Sequence, residues 1–181
     1  MEISQILENM NFIRESFGER TLRSFDLKRI GELSFNFYWE YNCEYGVVTA
    51  FSEEAGLKLD YLEVKSFTSL LPYRWSKVCG ALTGAFWVFA LTLEPSEFET
   101  AVKRLVDFHN GTPLPLFKPP QMAGLPKAPA RSILCRDSII NWCKATGINP
   151  RSRERNYRCA AITADIALKC GQIVRELSPV G

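Results

Sequence analysis

A chain of 181 residues with 46% apolar and 23% charged residues has the length and balance of one folded domain with a full core, which excludes the collagenous and disordered classes. A formal charge of +2 is too small to make nucleic acid the default partner, because binding to phosphates needs a dense basic surface. What remains unusual is six cysteines beside a single histidine.

The opening stretch, MEISQILENMNFIRESFGER, has no basic leader ahead of an apolar core and no small-residue cleavage site, so a cytoplasmic location is expected. Residues 2–17 place Ile3, Ile6, Leu7, Met10, Ile13 and Phe17 on one helical stripe that ends at Gly18. Thr21 offers an N-cap for a second helix. A long helix is expected over residues 32–54, with Trp39, Cys43, Val47 and Ala50 on its stripe and Gly56 as its C-terminal cap. A short helix follows at 60–71, stopped by Pro72.

Residues 76–93 read as a buried helix. The uninterrupted apolar part, 78–93, is 16 residues long and includes Thr83 and Thr92, short of the roughly 20 apolar residues that span a bilayer. No membrane partner is expected. Gly80 and Gly84, with Ala81 and Ala85 beside them, clear one face of this helix for the close approach of a neighbour. The next helix opens at Pro95 and continues to Phe108, with Asn110 and Gly111 as its stop.

Residues 111–130, GTPLPLFKPPQMAGLPKAPA, hold six prolines and two glycines, a density that no helix or strand interior tolerates. Leu114, Leu116, Phe117, Met122 and Leu125 make this loop too apolar for a solvated linker, so it should wrap against the domain or against a partner. Helices at 132–145 and 152–177 complete the chain. Convincing alternating strands are absent, and the expected fold is an all-α bundle of about six to seven antiparallel helices in a single domain, 1–181, with residues 1–31 as an N-terminal helical extension.

At about 100° per residue, Cys43, Cys79, Cys135 and Cys159 each share a stripe with apolar neighbours on a different helix. A bundle can bring four such side chains to one point, as carboxylate bundles do around metals. Free cysteine also serves as a small buried hydrophobe, so phase alone leaves both readings open. The chain has no C-x-x-C pair and no C-x-x-C-H signature, which removes paired-knuckle zinc and attached haem. Residues 127–158 carry eight bases against two acids, and Arg131, Arg136, Arg155 and Arg158 lie near Cys135 and Cys159, where they would favour thiolate over thiol. His109 reads as a histidine that interacts with the carbonyls at a helix end, and Glu53 and Glu54 as solvated acids. Trp39, Trp75, Trp87 and Trp142 read as core, and Cys170, about 16 Å beyond Cys159 on its stripe, as packing.

YNCEYGVVTAFSEEAGL, KVCGALTGA and RSILCRDSI occur in the order and at the spacing of the C-GCAxxG-C-C family, to which a redox role is ascribed, and the resemblance covers about residues 40–172. It implies that Cys43, Cys79, Cys135 and Cys159 are the family's four cysteines, with Cys143 and Cys170 as extras. An iron–sulfur cluster held by four thiolates is the implied cofactor; zinc and thiol/disulfide exchange are the chemical alternatives for four thiols. A redox partner protein and a homo-oligomer are compatible with such a role. The rival reading is a protein-binding module whose cysteines only pack. Two segments depart from the family pattern: TSLLPYRWSKVCG is bulky where the family has glycines, and the proline-rich loop replaces a continuous helix.

Overall fold

The stretch GALTGAFWVFALT, Gly80–Thr92, has no charged side chain, so a helix built from it has no face suited to water and must be enclosed. The computed structural model, which describes residues 1–178, encloses it: every residue from Ala81 to Thr92 is buried. This helix, α5, is one of eight among the described residues, the others being α1 (Ile3–Phe17), α2 (Leu27–Tyr38), α3 (Cys43–Ala55), α4 (Tyr61–Thr68), α6 (Phe98–Gly111), α7 (Cys135–Thr146) and α8 (Arg153–Leu177). A single 3-10 turn at Pro95–Glu97 leads into α6. The all-helical class is as expected, with eight helices among the described residues where six or seven were anticipated. The last three residues of the expected 1–181 domain lie outside the described residues. No helix among those described is long and apolar enough to cross a membrane.

α5 packs against α1, α3, α6 and α8, while α2 packs against α3 and α8. The contact with α3 depends on the two glycines. A Cβ on Gly84 would lie 2.9 Å from Cβ of Val47, and one on Gly80 would lie 3.2 Å from Cβ of Cys43. The cleared face therefore receives the helix that begins with Cys43. At the other end of α5, Arg14 of α1 donates from Nη1 to the carbonyls of Ala90 at 3.2 Å and Leu93 at 2.9 Å, satisfying acceptors left free at a helix end. The bulky segment before α5 packs on α1: buried Asn9 bonds both backbone groups of Tyr73, at 2.8 and 2.9 Å, and Trp75 is fully enclosed.

Four boundaries differ from the sequence reading, each for a local reason. The expected 32–54 helix is broken at residues 39–42, because Asn42 adopts an extended backbone and its side chain accepts the N–H of Tyr45 at 2.8 Å, starting α3 afresh. Trp39 consequently leaves the stripe and is 46% exposed, whereas Trp75, Trp87 and Trp142 are core as expected. α2 starts after Asp26 instead of Thr21, since the Asp26 carboxylate accepts from Lys28 and Arg29 N–H. The helices expected from 76 and 132 start later, at Gly80 and Cys135, because their leading segments pair with each other. Val78 and Leu134 form an antiparallel bridge, with Cys79 N–H donating to Ile133 O at 2.7 Å and Cys135 N–H to Lys77 O at 2.9 Å.

The proline-rich loop wraps against its own fold, the first of the two anticipated outcomes. Leu114 is fully buried, Phe117 stacks on Phe35 with centroids 5.0 Å apart, and Trp142 Nε1 donates to Pro126 O at 3.0 Å. Asp165 of α8 ties the loop down, its two carboxylate oxygens accepting the N–H groups of Leu116 and Phe117 at 2.7 and 2.8 Å.

Candidate four-cysteine centre

Three of the four candidate cysteines stand where a helix begins: Cys43 is the first residue of α3, Cys79 is the N-cap of α5, and Cys135 is the first residue of α7. The fourth, Cys159, lies in the second turn of α8. A helix start presents unpaired N–H groups and a partial positive charge, which favour a thiolate. At Cys79 the N–H groups of Ala81 and Leu82 act in this sense, although neither closes into a cap hydrogen bond of ordinary geometry. The clip between Val78 and Leu134 holds Cys79 and Cys135 on adjoining strands of chain, and the bare face of Gly80 admits Cys43 beside them.

The four thiols lie within one another's electrostatic reach. Burial first, then the charges of Cys79, Cys159 and Cys135, push the Cys43 thiol well above its ordinary value, while a hydrogen bond from Thr163 acts against the rise. The Cys135 thiol is pushed up to about 11, by burial and then by Cys79 and Cys159, although the residue as a whole is exposed. Burial also raises Cys79. All six cysteines are free thiols. Among the described residues, no three Cys, His, Asp or Glu side chains are placed so as to close around a single metal ion.

Positive charge reaches the thiols from α8. Arg158 lowers Cys79, Cys135 and Cys143, and Arg155 lowers Cys135 and Cys143. Arg131, expected to contribute as well, is exposed, and so is Arg136, which helix phase already turns about 100° away from Cys135. Arg158 instead points to α7, donating from Nη2 to Oγ of Ser138 at 2.7 Å and to its carbonyl at 3.3 Å, with the guanidinium carbon 5.8 Å from the centre of the Trp142 ring.

Sequence reasoning missed a second layer around the thiols. Glu44, next to Cys43, is half-buried between α3 and α5, where Tyr61 donates to Oε1 at 3.2 Å and the Thr83 hydroxyl donates to Oε2. Burial raises its carboxyl, and both hydrogen bonds oppose the rise. Asn42 Nδ2 donates to the Tyr61 hydroxyl at 3.0 Å, so the residue that caps α3 also anchors this network. With Cys43 and Cys135, these four side chains line a cleft of about 320 Å³ that opens to solvent. Tyr38 stands on the other side, its phenol raised by burial and then by Cys159 and Cys43. Glu44 was visible inside the motif YNCEYG, but its partners Tyr61 and Thr83 come from α4 and α5, a tertiary juxtaposition outside the reach of local pattern.

The remaining candidates fall outside the centre. Cys143 lies near enough to Cys159 to feel its charge, so a fifth thiol flanks the four. Cys170 is a packing residue as expected, fully buried with Sγ 4.0 Å from Ala85 O. Glu53 is exposed, while Glu54 accepts the N–H of Asp26 at 3.1 Å and serves the start of α2, away from the thiols. His109 does not act as a charged cap. It is fully buried with Nδ1 2.8 Å from Asn110 Oδ1, Nε2 has no partner, and burial lowers its pKa to about 4, so it is neutral.

Comparison with known proteins places this geometry. The family model described as "Putative redox-active protein (C_GCAxxG_C_C)" matches residues 41–173. Split-Soret cytochrome c of Desulfovibrio desulfuricans is 35% identical over 105 residues, covering 55% of this chain, and the chain spans only 38% of that relative's length. A solved structure, described as a novel iron centre in the split-Soret cytochrome c from Desulfovibrio desulfuricans, is similar with a TM-score of 0.75 and 26% identity, covering 88% of this chain and 72% of that one.

Proposed function

The chain belongs to the C_GCAxxG_C_C family, and from that premise we propose that it is an electron-transfer protein whose Cys43, Cys79, Cys135 and Cys159 hold an iron–sulfur cluster. The observation that carries this reading is that four thiols, delivered by four separate segments, lie within electrostatic reach of one another. Four thiolates are the usual ligand set of such clusters, and the iron centre of the similar cytochrome structure supports iron as the metal. When bound, the cluster supplies a one-electron couple whose potential follows its net charge, its hydrogen bonds and its exposure.

The protein's own residues do the rest. The α3–α5 contact fixes Cys43 and Cys79, the Val78–Leu134 clip fixes Cys135, and Arg155 and Arg158 offset the negative charge that four thiolates gather. Glu44, Thr83 and Tyr61 lock the first turn of α3. Exposed Cys135 and the open cleft give a redox partner protein an approach to the centre.

A zinc site is the weaker reading. One zinc ion needs its ligands around a single point, and no three side chains are so placed, whereas a two-iron cluster requires only two thiolates at each iron. Thiol/disulfide exchange is weaker as well, because it needs a ready thiolate and burial pushes the Cys43, Cys79 and Cys135 thiols upward, away from that state. Most apolar side chains of the proline-rich loop are engaged within the fold, with Leu116 45% exposed, so little of the loop is left as the surface of a binding module.

The test is anaerobic purification followed by iron and acid-labile sulfide analysis. A coloured protein with iron and sulfide in equal amounts supports the cluster. Colourless protein without metal overturns it, and zinc without sulfide replaces it with a structural site.

A further inference from the structure

Arg158 is 3% exposed, and among the described residues its guanidinium has no carboxylate within ion-pair distance. Ser138 and the face of Trp142 hold it, and Nε has no acceptor at all. Burial of an unpaired charge is strongly unfavourable, and a buried lysine can escape by losing its proton; a guanidinium cannot. A counter-charge must therefore come from the groups around it.

Those groups can be named from each packed element. On α8 itself, Arg155 is positive, and Asp165 is two turns away with both oxygens bonded to the proline-rich loop. On α6, His109 is neutral. What remains is the thiols: Arg158 directly precedes Cys159 on α8 and bonds Ser138, three residues beyond Cys135 at the start of α7, and its charge also reaches Cys79 and Cys143. A permanent cation has been buried with no carboxylate paired to it, which makes sense once the thiols become thiolates.

We propose that Arg158 is the internal counter-charge of the four-thiolate centre and thereby a setter of its reduction potential. This rests on the cluster reading above. Arginine suits the role because its planar fork is fixed by two acceptors of Ser138 and by an aromatic face, so the charge stays at one place in both oxidation states. Reduction adds one electron from a partner and removes no atom, so the centre gains one negative charge. A nearby fixed cation favours that form and raises the potential.

The experiment compares wild type with Arg158→Met, which keeps length and removes charge, and Arg158→Lys, which keeps charge. The midpoint potential of the iron-loaded protein is read by redox titration. The metal-free, reduced protein is alkylated with iodoacetamide at pH 8, and the rates at Cys79 and Cys135 are followed by mass spectrometry. Loss of the cation in Arg158→Met should lower the one-electron equilibrium constant about tenfold, equivalent to about 59 mV. It should slow alkylation about tenfold as well, since an opposite charge shifts a thiol by about one unit or more. Arg158→Lys should retain both to within about threefold. Where the methionine variant does not fold, Arg158→Gln, which keeps a donor for Ser138, supplies the same readouts. Wild-type values in a folded, charge-free variant overturn the proposal. If wild type binds no iron, the cluster reading fails, and the alkylation rates alone still decide whether Arg158 acts on the thiols.

Discussion

The centre has two unlike halves. Cys43 and Cys79 lie at the glycine contact between α3 and α5, in a setting with no cation of its own on either helix. Cys135 and Cys159 lie on α7 and α8, where Arg155 and Arg158 stand and Cys135 reaches the surface. The first half is built for position: small residues let two backbones approach until a Cβ would collide, and the core around α5 allows nothing to shift. The second half is built for charge and access. The difference teaches that a candidate thiol centre can divide its tasks, with rigidity supplied from the core side and electrostatics from the α7–α8 side. The Val78–Leu134 bridge joins the two.

Substitutions that break one half and spare the other sharpen this division. The largest effect is expected from Cys79→Ser or Cys43→Ser, which should abolish iron binding as measured by metal analysis, whereas Cys170→Ala should retain full iron because Cys170 only packs. Next comes the glycine contact. Gly84→Val places its first carbon 2.9 Å from Val47 Cβ and should destabilise the fold by about 1–3 kcal/mol, read as a lower Tm. Gly111→Ala meets nothing within 4 Å and should stay within about 0.5 kcal/mol of wild type. If the two glycine variants melt alike, the α3–α5 contact is not what positions the thiols.

The smallest effect is in pH. The Cys135 thiol rises from an ordinary 9.0 to about 11 in the folded protein, so the folded state holds this proton longer than the unfolded chain does. Its contribution to stability is complete below pH 9 and is lost as pH rises toward 11. The metal-free, reduced protein should therefore show a falling Tm across that window, and Cys135→Ser should flatten the fall. A Cys135→Ser profile that matches wild type would place the titrating thiol elsewhere.

Much of the frame was legible in the sequence. The apolar run at 78–93 had no face for water, so its central place followed from composition, and Gly80 and Gly84 already marked the face that α3 occupies. The proline-rich loop was legible as a loop because its prolines forbid regular structure, and its apolar residues as ones that pack against something, which Leu114 and Leu125 do and Leu116 does not. The four cysteines lie within electrostatic reach of one another, but three of them stand at helix starts and not on the helix stripes that phase suggested. Periodicity extends a helix until something stops it, and what stops the 32–54 helix is one side-chain cap at Asn42. The starts of α5 and α7 depend on a pairing between residues 77–79 and 133–135, which no local pattern announces. Which arginine faces the thiols was likewise a tertiary matter: Arg136 is adjacent to Cys135 in the chain and exposed, whereas Arg158 is directed inward by Ser138 and Trp142.

The central claim is that four thiolates, and no other side chains, bind the metal. Iron K-edge X-ray absorption on the anaerobically purified protein measures this directly. The account predicts a first shell of sulfur alone together with scattering from a second iron. A shell containing nitrogen or oxygen, or a lone iron atom with no metal neighbour, contradicts it.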